Sequence, residues 1–454
     1  MRAIILKSWA LLLGIFMLMI GNGLQATLLG VRGGAEGFSG AVLGYVMAGY
    51  FVGFLGGTWV TPRLLRRVGH VRVFAAFGSL ISAAFILYAT LVEPVTWFLL
   101  RVVVGLCFSG VYIVSESWLN DAATNETRGK TMAAYITAQM MGIILAQLLL
   151  NVADPGGYPL FVLMSVLVSL SFLPILLSAG PAPKFEQTRP MSLRQLYQTS
   201  PLGCVAIFAL GAIFAVQFGM SAVYAAERGF SLFEISIFVA MIYAGGLVWQ
   251  PPIGWLSDRM HRRVLIMDLT GVGALGCLIV PVLGPSFPAI LVAAFIMGGA
   301  SNSLYSLVVA YVNDYLESED MAAASAGLIM LNGIGAMGAP ILLGYLMDLM
   351  VDDVFFLFLA AAFASITLYA IWRQRQRPVR IVIGEQGPVV PMSQVASPLA
   401  ADVAIEAALE QVQEGFTEPK QQMRDGDERG GDTAALADQG TGQDLGQGTE
   451  RIDG

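Results

Sequence analysis

The sequence predicts an all-α integral membrane protein with 12 transmembrane helices in two pseudo-symmetric six-helix bundles. The first observation is composition: 56% of the 454 residues are hydrophobic and 13% are charged, which is not typical of a soluble domain. The second observation is a series of long apolar stretches separated by polar links. The third is a repeat that relates the two halves of the chain.

Twelve stretches are apolar over about the 20 residues that a helix needs to cross a bilayer. They are residues 8–30, 42–62, 72–92, 95–119, 131–152, 158–178, 202–224, 233–256, 264–283, 286–312, 322–347 and 354–372. Most links are short, but residues 179–200 are polar and rich in proline, and they divide the helices into six and six. The predicted organisation is an N-terminal six-helix bundle at 1–178, a central cytoplasmic loop at 179–200, a C-terminal bundle at 201–377 and a disordered acidic cytoplasmic tail at 378–454.

Loop charges predict the orientation of the chain. If the N-terminus is cytoplasmic, the inside segments carry eighteen lysines and arginines, whereas the outside loops carry only Arg32 and Arg228. Positive charge concentrates on the cytoplasmic side of membrane proteins. We therefore expect a multi-pass protein of the bacterial inner (plasma) membrane with both termini in the cytoplasm. The net charge of −7 comes from the tail, and no basic face in the apolar part suggests a nucleic-acid partner.

The two halves repeat one another at a nearly constant spacing. A displacement of 193 positions superposes identical residue types at Tyr50 and Tyr243, Gly105 and Gly298, Tyr112 and Tyr305, and Gly142 and Gly335. A displacement of 192 positions aligns residues 37–39 with 229–231 and Gln25 with Gln217. One spacing that serves several helices indicates a parallel repeat of two six-helix units.

A short polar turn between the eighth and ninth predicted helices carries the most specific motif. It reads Gly254-Trp-Leu-Ser-Asp258-Arg259-Met-His-Arg262-Arg263. This resembles the cytoplasmic loop signature G-x-x-x-D-R-x-G-R-R of the major facilitator superfamily, with His261 in place of the usual glycine. Residues 101–105, 114–119, 128–135 and 147–149 are similar to the YcaD-like branch of that superfamily. The resemblance implies a transporter that holds its substrate between the two halves near the membrane midplane, but it implies no particular substrate.

The same resemblance implies a gate on the cytoplasmic side. Asp121 and Asp314 resemble the acids that pair with the arginines of the loop signature. The second half has a complete set of these residues. The corresponding loop of the first half keeps its arginines and a glycine but has no aspartate of its own. We expect an intracellular latch that favours the outward-facing state; anchoring of the topology by loop arginines is the alternative. The gate residues are Gly254, Asp258, Arg259, Arg262, Arg263, Asp121, Asp314, Arg66, Arg67, Gly69 and Arg128.

Two charged residues lie inside the fourth predicted helix, where each costs about 2.5–3.5 kcal/mol to insert. Arg101 and Glu116 are separated by about 22 Å of helix rise, so they cannot pair with each other, but both can face one cavity. Arg101 matches the family motif R-x-x-x-G, which implies proton coupling or anion binding; reaching the outer headgroups or tying helices together is the alternative. Glu116 is the candidate proton carrier, and a structural ion pair with a loop arginine is its alternative.

Polar side chains inside the spans are candidates for the substrate cavity. They suggest a polar or amphiphilic solute, held by hydrogen bonds and aromatic faces more than by charge, although hydrogen bonding between helices explains any single one of them. The candidates are Asn22, Gln25, Tyr112, Gln139, Gln217, Tyr243, Gln250, Asn302, Tyr305 and Asn332, with Tyr50, Gln147 and Trp249 as further members of the same group.

The sequence argues against other classes of function. Its three cysteines lie in apolar stretches without metal-ligand spacing, it has two histidines, and it contains neither a nucleophile–base pair nor a phosphate-binding loop. We therefore expect no enzyme, no metal and no cofactor. The main hypothesis is a monomeric secondary transporter in the lipid bilayer that moves a small-molecule substrate by alternating access, with H⁺ as the coupling ion.

Two alternatives stay open. One is a drug or metabolite efflux antiporter, although the fifth predicted helix, Gly142-Ile-Ile-Leu-Ala-Gln147, lacks the proline of the antiporter motif. The other is a sensor with the same fold that does not transport. Gate residues in both halves favour transport over a sensor.

Overall fold

The computed structural model describes residues 2–122, 125–176, 191–349 and 353–376, and most of them are helical. The helices are α1 (Arg2–Ala35), α2 (Gly40–Val68), α3 (His70–Thr90), α4 (Pro94–Ala122), α5 (Asn125–Leu149), α6 (Pro159–Leu176), α7 (Leu193–Thr199), α8 (Pro201–Gly219), α9 (Ser221–Glu227), α10 (Leu232–Ser257), α11 (Arg262–Leu283), α12 (Phe287–Asn313), α13 (Ser318–Leu349) and α14 (Val354–Gln376). The predicted tail at 378–454, most of the predicted central loop, and the side chains of Asp121 and Arg128 lie outside the described residues.

The helices confirm the predicted fold class. In the described ranges, eleven helices are long and apolar enough to cross a membrane, and α6 adds a shorter apolar segment, Pro159–Pro174. Each of the twelve predicted spans falls on a helix. We call the side on which α1 begins and α14 ends the inner side, and the opposite side the outer side.

The seventh predicted span, 202–224, is not one continuous helix. It is divided at Met220 into α8 and the short helix α9. The break follows Gly219, where an added methyl group would lie 3.0 Å from Cβ of Met47 in the other half. The Met220 N–H donates to the Val216 carbonyl at 2.9 Å and the Met220 carbonyl accepts from the Tyr224 N–H at 2.9 Å, so backbone hydrogen bonds continue across this turn residue.

The end of the predicted central loop also contains a helix. Ser192 caps α7, and Leu196 on this helix is fully buried. The backbone N–H of Met191 donates to the Ala323 carbonyl at 2.8 Å. The loop therefore ends in a segment that is attached to α13 of the C-terminal half.

The internal repeat is visible in the helix packing. An added methyl group at Gly105 of α4 would overlap the backbone oxygen of Tyr50, and one at Gly298 of α12 would overlap that of Ile242. Small residues allow helix backbones to approach closely in membranes. The pair α2 and α4 therefore packs in the same way as the pair α10 and α12.

Contacts between the halves include a group at the outer side. Asn151, in the 3₁₀ turn that follows α5, donates to the Ser236 hydroxyl of α10 at 2.8 Å. The backbone N–H of Gly40 donates to Asp348 of α13 at 2.8 Å. In this structure the outer ends of the two halves are therefore in contact.

Candidate functional site

A cavity lies between the two halves, about midway along the helices. Its walls come from α1, α2, α4 and α5 in the N-terminal half and from α8, α10 and α12 in the C-terminal half. The lining residues are Met19, Asn22, Tyr50, Tyr112, Ile136, Gln139, Met140, Ile143, Phe214, Phe218, Tyr243 and Asn302. These side chains are uncharged amides, phenols, phenyl rings and apolar groups, so the cavity fits an uncharged surface of a solute better than an ionic one.

Half of the ten predicted cavity residues line this space: Asn22, Tyr112, Gln139, Tyr243 and Asn302. The Asn22 amide donates weakly to the Tyr112 hydroxyl at 3.4 Å, and its Oδ1 is buried with no hydrogen-bond partner among the described residues. The Asn22 amide thus has an oxygen that can accept a further hydrogen bond in the cavity.

The other predicted cavity residues lie elsewhere in the fold. Gln25 donates to the Tyr88 hydroxyl at 3.0 Å, and Gln217 accepts from the Ser301 hydroxyl at 2.8 Å. Asn332 donates to the Ile207 carbonyl at 3.3 Å. Each of these three side chains joins two helices within its own half. The remaining two, Gln250 and Tyr305, are also absent from the cavity wall.

Arg101 is fully buried between α1, α2 and α4 rather than extended to the outer headgroups. It donates to the Gln25 Oε1 at 3.3 Å and contacts the sulfur of Met47. Its guanidinium lies 5.6 Å from the centre of the Tyr50 ring. Among the described residues, no carboxylate pairs with Arg101. Its guanidinium is surrounded by the Tyr50 ring and the Gln25 amide, one layer behind the cavity wall.

Glu116 is also fully buried, on the inner side of the cavity. Its carboxylate accepts from the Tyr135 hydroxyl of α5 at 3.2 Å. Glu116 therefore lies where α4 packs against α5, on the inner side of the cavity.

The inner loop of the C-terminal half holds a buried ion pair. Arg262, at the start of α11, pairs with Asp314 at the end of α12, and both side chains are at most 5% exposed. Arg262 also donates to Ser257 at 3.3 Å and to the Ala310 carbonyl at 3.2 Å. Its neighbour Arg263 is buried and donates to the Ala370 carbonyl of α14 at 3.5 Å. The pair thus joins two helices of the same half.

The remaining residues of this loop signature are more accessible. Asp258 is exposed. Arg259 is exposed as well, and its guanidinium stacks on the Trp255 ring of its own helix at 4.1 Å. A methyl group added at Gly254 would meet no atom within 4 Å, so no described helix approaches this glycine closely.

The inner loop of the N-terminal half differs. Arg66 and Arg67 are exposed, and Gly69 links α2 to α3 with a φ of +83°, a conformation that favours glycine. His70 is buried, and its Nε2 atom lies 3.3 Å from the Ser117 hydroxyl. The gate roles of these residues stay predictions.

Sequence reasoning missed the aromatic part of the cavity wall. Phe214 and Phe218 of α8 stack with ring centres 5.8 Å apart and line the cavity from the C-terminal half. In an apolar span a phenylalanine that faces a cavity has the same sequence signal as one that faces lipid or the core. The sequence signal that could have identified them is the spacing of four residues, about one helical turn, which places Phe214 and Phe218 on the same face of the seventh span.

Comparison with known proteins agrees with this architecture. The family model described as Major Facilitator Superfamily matches residues 11–267 and 202–412. An uncharacterised MFS-type transporter of Enterobacter sp. (strain 638) is 25% identical over 376 residues, which are 82% of this chain and 97% of that protein. The uncharacterised MFS-type transporter YcaD of Escherichia coli O9:H4 (strain HS) is 25% identical over 354 residues, which are 77% of this chain and 91% of that protein. The predicted resemblance to the YcaD-like branch is thus confirmed.

Solved structures show the same fold. The crystal structure of the nucleoside transporter NupG superposes with a TM-score of 0.65 at 14% identity and covers 81% of this chain and 98% of its own. The crystal structure of a variant of the E. coli fucose:proton symporter FucP superposes with a TM-score of 0.54 at 15% identity and covers 82% of this chain and 99% of its own. With its repeated six-helix halves, its loop signature and a family model that matches most of its length, the chain belongs to the major facilitator superfamily.

Proposed function

We propose that the protein is a secondary active transporter that moves a small organic solute across the bacterial inner membrane by alternating access, coupled to protons. Both termini lie in the cytoplasm, and one chain is the working unit. The observation that carries the proposal is the central cavity, because seven helices from both halves form its walls. A solute bound there contacts both halves at once, so the two sides of the membrane gain access to it in turn as the halves move.

The cavity chemistry supports an uncharged solute with hydrogen-bonding groups and a flat apolar face. Asn22, Gln139 and Asn302 offer amides, and Tyr50 and Phe218 offer rings with centres 5.4 Å apart. The two similar structures are named for a nucleoside and for fucose with a proton. Nucleosides and neutral sugars are therefore sensible first probes.

Proton coupling is assigned to Glu116. The carboxyl group is fully buried in the N-terminal half and receives a hydrogen bond from Tyr135. A group that can carry or lose one charge at this place makes the relative position of the halves depend on protonation. Arg101, one layer behind the cavity, is assigned to keep the electrostatic environment of the cavity positive enough for this exchange.

The test is a thermal-shift screen on purified protein with nucleosides, sugars, amino acids, organic acids and cationic drugs, at about pH 6 and about pH 8. A ligand that binds only the folded state raises the unfolding temperature. Compounds that stabilise the protein are then tested for uptake into proteoliposomes with and without a pH gradient.

We expect an uncharged compound to stabilise the protein, and the gradient to drive its accumulation. Asn22→Ala should abolish the shift, whereas Gln195→Ala on the exposed face of α7 should preserve it. Selective stabilisation by charged compounds would contradict the assignment of the solute class. A folded protein that stabilises with a compound but never moves it would contradict the transporter assignment and favour the sensor.

A further inference from the structure

The N-termini of α2 and α10 occupy equivalent positions in the two halves but are capped differently. Each helix follows a serine N-cap, Ser39 in α2 and Ser231 in α10. In α10, Glu234 completes a capping box, since its carboxylate accepts from the Ser231 N–H at 2.8 Å. The position that corresponds to Glu234 at a displacement of 192 residues is Val42, which has no hydrogen-bonding side chain.

A carboxylate from the other half of the protein also caps α2, at N–H groups one and two positions beyond the N-cap that Glu234 binds in α10. Asp348, near the outer end of α13, accepts from the N–H groups of Gly40 at 2.8 Å and Ala41 at 3.0 Å. A carboxylate at this place satisfies two backbone donors of the first helical turn and interacts favourably with the helix dipole. Because the bonds join the two halves, α2 has this cap only while the outer side is closed.

Close backbone contact between α2 and α13 makes the cap sensitive to movement. An added methyl group at Gly44 would overlap the carbonyl oxygen of Pro340, and one at Gly344 would overlap that of Gly40. The two helices touch without intervening side chains, so a small separation of the outer ends removes Asp348 from the N–H groups that it accepts from.

A second carboxylate faces the same helix N-terminus. A methyl group added at Gly40 would lie 2.9 Å from Oδ1 of Asp348 and 3.3 Å from Oε1 of Glu227, at the end of α9. Partial burial and, after it, the charge of Asp348 raise the pKa of Glu227 above its ordinary value. Two ionised carboxylates at this place repel each other, whereas a neutral Glu227 leaves Asp348 as the single anion at the helix N-terminus.

Among the described residues, the other charged groups at this outer surface have partners of their own. They are Arg32 paired with Glu36 at 2.6 Å, Arg228 paired with Asp353 at 2.5 Å, Glu234 in the capping box of α10, and Glu93 and Asp154, whose carboxylates accept from the N–H groups of Thr96 and Gly156. The charge that changes most directly at the cap is therefore the charge on Glu227.

We propose that Asp348 and Glu227 form a proton-operated latch that holds the outer side closed by capping α2 from the opposite half. The latch rests on the proposed function, since it needs a carrier whose outer side opens and closes. Closing the latch raises the proton affinity of Glu227, so protonation favours the outer-closed state. The stabilisation of the outer-closed state by protonated Glu227 is complete at low pH. It is lost as the pH rises through the raised pKa of Glu227. The proton enters from the outer solution and returns to it, so the latch regulates the carrier and is separate from the coupling proton assigned to Glu116.

The test measures how far apart the outer ends of the halves are. Spin labels replace Leu91 and Leu283, two exposed residues at the outer ends of α3 and α11, after the three buried cysteines have been substituted. Distances are recorded in lipid nanodiscs at about pH 5 and about pH 8, with intermediate values, so that the series starts near the ordinary pKa of a glutamate. The ratio of closed to open populations is compared. In the wild-type chain the ratio should fall with rising pH, by up to about tenfold for each unit by which closure raises the pKa of Glu227.

Three variants separate the parts of the latch. Glu227→Gln should remove the pH response and keep the outer side closed at both pH values. Asp348→Ala removes the acceptor of the Gly40 and Ala41 N–H groups and should lower the closed-to-open ratio about fivefold to tenfold, because α2 then has no cap from the other half in the closed state. Gly44→Val should open the outer side at both pH values. Glu93→Gln, which changes an exposed outer acid, should behave as the wild type.

A pH response that survives in Glu227→Gln, or an unchanged ratio in Asp348→Ala, would overturn the latch. Solute uptake by the wild-type chain decides the proposed function separately. A chain that transports but holds one pH-independent outer distance contradicts the latch alone. A chain that populates both distances and transports nothing contradicts the proposed function and leaves the latch standing.

Discussion

The two halves of the molecule share one helix arrangement but bury their charges in different places. The N-terminal half buries Arg101 and Glu116 within the span of α4, one toward each end, where the corresponding positions of the C-terminal half, at a displacement of 193 residues, are Ala294 and Val309. The C-terminal half buries Arg262 with Asp314 at the inner end of its helices. Among the residues that the structure describes, the fourth span of one half therefore carries buried charges that its counterpart in the other half lacks.

This difference indicates a division of roles between the halves. A charge buried within a membrane span is costly and persists where it serves ion or substrate movement, whereas a charge at a helix end satisfies backbone carbonyls and fixes neighbouring helices. We therefore expect the N-terminal half to respond to protons and the C-terminal half to act as the rigid partner. The variants below are ordered by the size of the effect that this comparison predicts.

The largest expected effect comes from Glu116→Gln. Removing the charge keeps the shape and the hydrogen bond from Tyr135 but removes the proton-binding group. Accumulation of solute driven by a pH gradient should be abolished, whereas downhill exchange of solute should persist. Both rates are measured in the same proteoliposomes.

Glu93→Gln is the matched control, because Glu93 is an exposed acid whose carboxylate accepts from the Thr96 N–H at 2.8 Å, outside the membrane spans. It should leave both rates unchanged. Equal loss of accumulation and exchange in Glu116→Gln would remove Glu116 as the coupling residue.

The second effect concerns stability at the inner loops. Arg262→Ala leaves Asp314 buried without the pairing that it makes to α11, and the loss of one partner of a buried ion pair typically costs about 3–5 kcal/mol. Arg67→Ala removes an exposed base from the equivalent loop of the other half, and surface changes of this kind typically stay within about 0.5 kcal/mol. Thermal unfolding in detergent measures both. Similar losses of stability in the two variants would show that the inner ends are not asymmetric.

The third test compares positions at which the halves are alike. Gly105→Ala and Gly298→Ala each force a methyl group against the backbone of the neighbouring helix, and overpacking typically costs about 1–3 kcal/mol. Because the two contacts are related by the repeat, the losses in unfolding temperature should be similar. Gly56→Ala is the control, because an added methyl group at Gly56 would meet nothing within 4 Å. It should leave the unfolding temperature unchanged. A large loss in one half only would mean that the repeat does not extend to packing.

The sequence predicts the fold well because membrane spans are determined by hydropathy and length. Apolar stretches, loop arginines and the 193-residue spacing each depend on many residues, so single errors do not change the outcome. The break at Met220 and the helix α7 were not predicted, since each depends on a neighbouring helix rather than on the local sequence.

The candidate site could be predicted only in part. Hydropathy marks Gln25, Gln217 and Asn332 as unusual in a span, but it does not tell whether an amide faces a cavity or a neighbouring helix. Asp348 was missed because its partners on α2 are distant in the chain, and the acid that α2 lacks at Val42 becomes meaningful only once the opposite half is seen beside it.

The smallest predicted effect compares the two glutamines that the repeat aligns. Gln25 accepts from the guanidinium of Arg101, whereas Gln217 accepts from the neutral hydroxyl of Ser301. Hydrogen bonds to charged groups contribute about 1.5–3 kcal/mol, whereas neutral bonds between helices in membranes average about 0.6 kcal/mol. Gln25→Leu should therefore lower the unfolding temperature more than Gln217→Leu does.

The two leucine variants are compared in an Arg101→Leu background as well as in the wild-type chain. If the charge of Arg101 causes the difference, it should disappear there, because each glutamine then has only neutral partners. A difference that persists would place its origin in the Tyr88 hydroxyl, to which Gln25 donates at 3.0 Å, and not in the buried charge. The asymmetry between the halves would then extend beyond the positions of the charged residues to the hydrogen bonds that surround them.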